Sequence, residues 1–79
     1  MKWVTFYYDA MRGGVYDFVE HEDKASATEY FKKHYKKYFQ LRTKIKVELP
    51  MTYGFPFRKY VGMTLASFKK QFGEVKVIE

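Results

Sequence analysis

The sequence predicts an α+β fold: a small mixed β-sheet in the order β-β-α-β-loop-α-β, with one main amphipathic helix packed on one face. Three observations predict it. Val4, Phe6 and Tyr8 alternate with Trp3, Thr5 and Tyr7, and "VYDFVE" follows after the turn "DAMRGG", which reads as a hairpin. "YFKKHYKKYF", residues 30 to 39, sets aromatic pairs and lysine pairs at helical spacing. "TKIKVEL" alternates again, with Ile45, Val47 and Leu49 against Lys44, Lys46 and Glu48.

The hairpin places strands at 2 to 8 and 15 to 20, with Gly13 and Gly14 available for positive φ in the turn. The helix follows at 25 to 40. At about 100° per residue, Tyr30, Phe31, His34, Tyr35, Tyr38 and Phe39 fall within one half of the wheel, and Lys32, Lys33, Lys36 and Lys37 fill the other. A strand reading would bury lysine on both faces. Asp23 and Ser26 are both good N-caps, and Ser26 with Glu29 has capping-box spacing. The acids Glu22 and Asp23 suit the positive end of the dipole, as Lys36 and Lys37 suit its negative end.

The third strand, at 43 to 49, ends at Pro50. Residues 50 to 62, "PMTYGFPFRKYVG", hold two prolines and two glycines and are expected to form an ordered loop, since proline removes a ladder donor. Thr64 then caps a short helix whose Leu65, Phe68 and Phe72 share a face, with Gly73 as its stop. "EVKVI" is the last expected strand.

Length makes this one domain over 1–79. A chain of 79 residues buries only about 60% of the surface it exposes when unfolded. One Trp, eight Tyr and eight Phe outnumber the leucines, isoleucines and valines together, so the core is expected to be built from rings. Cysteine is absent, which excludes disulfides and thiolate metal sites and fits a reducing, cytoplasmic setting. The opening has no apolar core of a secretion signal, and no stretch is long and apolar enough to span a membrane.

Charge is unevenly placed. The net charge is +6, yet residues 24 to 46 carry eight Lys or Arg against one Glu, while residues 9 to 23 carry five acids against Arg12. Lys32, Lys33, Lys36 and Lys37, joined by Arg42, Lys44 and Lys46, are the candidate surface for nucleic acid or another anionic partner. A plain solvated helix face is the competing reading. Tyr53, Phe55, Phe57, Arg58, Lys59 and Tyr60 form a second candidate, since aromatics beside basic residues stack bases and hold phosphates. The competing reading there is a lid on a small core.

No catalytic constellation emerges. Ser26 and Ser67 read as cap and helix-surface residues rather than nucleophiles. "HED" at 21 to 23 is explained by capping rather than by a metal, and His34 sits at the aromatic rim of the helix. Nucleotide-loop and zinc-finger spacings are absent, so no enzyme, cofactor or metal is expected.

In element order, the opening hairpin and helix are similar to antitoxins of the HicB type, over about half the chain and without their glycine-proline segment. In composition, the whole chain resembles small proteins of phages and mobile elements of Gram-positive bacteria. That likeness implies a binder and inhibitor of a host or defence protein, acting through a sheet edge or the aromatic segment. Two functions are therefore expected to compete. One is a basic module on nucleic acid or nucleoprotein; the other is an effector on an acidic host protein, with a sheet edge also offering a homodimer contact.

Overall fold

A computed structural model describes residues 1–35, 51–55 and 57–78. The elements are β1 (Trp3–Asp9), β2 (Gly14–His21), α1 (Lys24–Tyr35), β3 (Met51–Phe55), β4 (Arg58–Thr64), α2 (Leu65–Phe72) and β5 (Lys76–Ile78). The fold is α+β. Among the described residues five strands form one sheet in the order β3-β4-β1-β2-β5. All neighbours are antiparallel except β2 and β5, which run parallel, so the sheet is mixed.

The alternation read in β1 sorts two cores onto opposite faces. Val4, Phe6, Val15, Val61 and Phe68 are buried together, with Tyr8, Phe18, Met63, Leu65, Phe72 and Val75 packed around them, so α2 covers this face. The cluster is a ring core: Phe6 meets Phe68 at 5.0 Å and Phe72 at 5.1 Å, both edge-on, and Phe18 meets Phe68 at 4.8 Å. On the other face Ala27 and Phe31 of α1 are buried against Trp3 and Tyr60, beside Tyr30. Among the described residues the sheet thus carries one helix on each side. Sequence alternation alone does not say to which side each helix returns.

A bulge in β2 corrects an alternation that would otherwise fail. Plain period-two spacing sends Val15 and Phe18 to opposite faces. Tyr7 pairs with Tyr16 but Thr5 pairs with Val19, so Asp17 and Phe18 together oppose Phe6. Asp17 absorbs the extra residue at φ 53°, a left-handed conformation that aspartate tolerates better than most side chains. Phe18 is thereby returned to the face of Val15.

Both helix starts are legible in detail. Asp23 Oδ1 accepts the Ser26 amide at 2.8 Å, so Asp23 is the cap of α1 and Ser26 donates its amide to that cap instead of acting as one. Thr64 caps α2, its hydroxyl oxygen accepting the Ser67 amide at 3.1 Å. Gly13 turns the first hairpin at φ 68°. Gly14 serves differently: it is buried, and a Cβ there would run into the side chain of Ile78.

The expected loop at 50 to 62 is overturned. Residues 51–55 and 58–64 are strands, and β4 is internal, flanked by β1 and β3. The prolines do not interrupt it because Pro50 precedes β3 and Pro56 falls between the two strands. Gly54 sits inside β3 at φ 125°, opposite Lys59, where the absent side chain lets the backbones approach. The expected strand at 43 to 49 and the helix beyond residue 35 lie outside the described residues.

Candidate binding surfaces

α1 divides its residues as its wheel demands. Phe31 is 1% exposed and Ala27 fully buried, whereas Lys24, Lys32 and Lys33 are exposed. Among the described residues neither Lys32 nor Lys33 is in an ion pair. Lys24 instead lies over the Trp3 ring, 5.5 Å from its centroid. Lys36, Lys37, Arg42, Lys44 and Lys46 lie outside the described residues.

The segment 53 to 60 is divided by strand alternation. Arg58 and Tyr60 share the face of α1, whereas Lys59 lies on the face of Val61. Phe57 is 50% exposed at the turn between β3 and β4. Tyr53 and Phe55 belong to the β3 backbone, with Tyr53 opposite Tyr60 and Phe55 opposite Arg58.

Register also assembles a row that the sequence did not announce. Tyr53 pairs with Tyr60, Tyr60 with Tyr7, and Tyr7 with Tyr16, so one level across four strands is tyrosine throughout. The Tyr7 ring lies 4.8 Å from Tyr60 and 6.3 Å from Tyr16. Recognising it needs β4 as a strand, which the prolines and glycines concealed.

Two residues beyond Tyr7 on β1, where it pairs with Arg58 and Gly14, Asp9 contacts both hairpin turns. Its side chain is 3% exposed. Oδ1 accepts the amides of Met11 and Arg12 at 3.0 and 3.1 Å, an Asx turn that starts the first hairpin. Oδ2 lies 3.9 Å from Arg12 Nε and 3.7 Å from Arg58 Nε. Arg58 also donates to the Tyr7 hydroxyl at 3.2 Å. That hydrogen bond first, and with it the negative charge of Asp9, raises the Arg58 pKa. The Ala10 amide donates to the Phe57 carbonyl at 2.8 Å, tying the two turns together.

His21 belongs to a third cluster. Its Nε2 lies 2.9 Å from the Thr5 hydroxyl, and its ring is 5.0 Å from Tyr30, which stacks on His34 at 4.0 Å. Burial lowers the His21 pKa below 6.5. The folded state therefore holds His21 neutral, and its contribution to stability is present above about pH 6.5 and lost as the pH falls below it. Thermal melts from pH 7 to pH 5 are expected to show falling stability, and His21→Asn to flatten that interval. Asp23, whose carboxylate pKa is lowered by the Ser26 amide, acts only at lower pH. Asp23 is engaged in its cap, which accounts for the acid at the end of "HED".

No family model matches this chain, and neither a curated protein nor a solved structure does. Its function is therefore argued from its own surfaces. Among the described residues no helix is long and apolar enough to cross a membrane.

Proposed function

We propose that the protein is a non-catalytic basic binding module that docks on an anionic surface, with nucleic acid or a nucleoprotein as its partner. The observation that carries this reading is the division of α1. Two turns that bury Ala27 and Phe31 against the sheet leave Lys32 and Lys33 exposed and outside any ion pair among the described residues. Glu29 is the one acid of α1, at i, i+4 spacing from Lys33 and i, i+3 from Lys32, and among the described residues it is in no ion pair with either, so one acid faces two adjacent lysines. The sequence continues the stripe through Lys36 and Lys37 and adds Arg42, Lys44 and Lys46. Lysines in such a stripe follow a phosphate backbone without reading bases.

The test is equilibrium binding of a mixed-sequence DNA duplex followed by fluorescence anisotropy. Changing Lys32 and Lys33 together to Gln is expected to weaken binding and to make the log–log salt dependence shallower by about 2. The melting temperature should stay close to that of the parent. Unchanged affinity in that variant would remove the lysine face from the account.

A second reading, an effector of the phage type that binds a host or defence protein, draws on one observation. The three-residue β5 lies at a margin of the described sheet, and its Val77 is 40% exposed. Strand addition there would use main-chain bonds and an apolar contact. Nuclease treatment before a pull-down separates the readings: capture that survives it favours the effector.

A further inference from the structure

The two hairpin turns, tied by the bond between Ala10 and Phe57, form one composite tip that no single stretch of sequence contains. It presents Met11, 78% exposed, and Phe57, 50% exposed, the large apolar side chains most open to solvent after Met1 among the described residues. Arg12 and Arg58 stand beside them, with side chains 73% and 54% exposed. Both guanidiniums turn an Nε toward the same Asp9 oxygen, so two positive charges are gathered by one buried negative charge. Their remaining N–H donors meet no partner among the described residues. The tip thus brings two exposed cations that share one carboxylate together with the exposed Met11 and Phe57 that neighbour them in sequence.

We propose that this tip binds single-stranded nucleic acid, with one base against Phe57 and Met11 and a neighbouring phosphate on Arg12 and Arg58. The proposal rests on the reading of the protein as a nucleic-acid module and assigns it a second, strand-selective subsite. Charge complementarity favours this occupant: Asp9 leaves the arginine pair a net positive charge, and guanidinium forks match phosphate oxygens. An exposed ring beside cations is the pattern of single-strand binding, because every base offers a face to stack. A duplex keeps its bases stacked inside and cannot use Phe57.

The experiment compares a labelled mixed-sequence DNA single strand with the corresponding duplex, using the full chain. Phe57→Leu and Arg12→Gln are each expected to weaken single-strand binding at least about fivefold, the effect of losing one stacked base or phosphate contact. Phe57→Tyr should retain it, and duplex affinity should hold within about twofold in Phe57→Leu. If both substitutions leave the single strand bound as tightly as in the parent, while Lys32 and Lys33 changed to Gln weaken both ligands, the tip proposal is overturned and the proposed function stands. If the parent binds neither strand nor duplex, both fail. Binding of a labelled polyglutamate peptide that is lost in Arg12→Gln would then assign the tip to an acidic protein instead.

Discussion

Phe31→Ala is expected to lower the stability of the fold by about 3–5 kcal/mol, measured by urea denaturation. Phe31 is the large side chain of α1 that the sheet encloses, 1% exposed beside Ala27, Trp3 and Tyr60. Removing it leaves a cavity between the helix and β1, and the rigid rings around it cannot collapse far into the gap. A small domain has only about 5–15 kcal/mol in total, so the variant should be partly unfolded near physiological temperature. Lys33→Ala, on the exposed side of the same helix, should change stability by no more than about 0.5 kcal/mol. Equal losses in the two variants would mean that α1 is turned the other way.

Gly54→Ala should be comparably damaging, at about 2–5 kcal/mol, although the position is exposed. At φ 125° a side chain is strained, and a Cβ would lie 2.5 Å from the Arg58 carbonyl oxygen and 2.9 Å from the Lys59 Cα. Both obstacles are backbone of the paired strand, so relief requires β3 and β4 to part. Gly13→Ala makes the contrast, because that glycine also has positive φ but a Cβ would meet nothing within 4 Å. It should cost only about 1–2 kcal/mol. Similar denaturation midpoints for the two variants would contradict the close approach of β3 to β4.

The parts of the fold that were legible are those where local chemistry and tertiary packing agree. Val4, Phe6 and Tyr8 declare a strand, Gly13 its turn, Asp23 and Thr64 two helix starts, and Leu65, Phe68 and Phe72 a helix face. The second hairpin was concealed because its two special residues look like loop residues. Gly54 is there for closeness of backbones, and Pro56 comes in the sequence after β3 ends and before β4 begins. Asp17 hid the bulge for a related reason, since a polar residue in an alternating run reads as an outward-facing strand position.

Among the site residues, Lys32 and Lys33 stand where helical periodicity put them. The composite tip was out of reach, because Met11 and Arg12 are distant in sequence from Phe57 and Arg58 and are joined through a backbone bond and a shared carboxylate. An aspartate opening a turn beside an arginine signals an Asx turn; nothing local signals that a second arginine arrives from another hairpin.

The most direct test of the proposed function is the salt dependence of binding to a mixed-sequence duplex. A lysine face that neutralises about four phosphates should give a linear plot of log affinity against log salt with a slope near −3 to −4. A slope near zero, or no binding at low salt, would contradict docking on nucleic acid through α1.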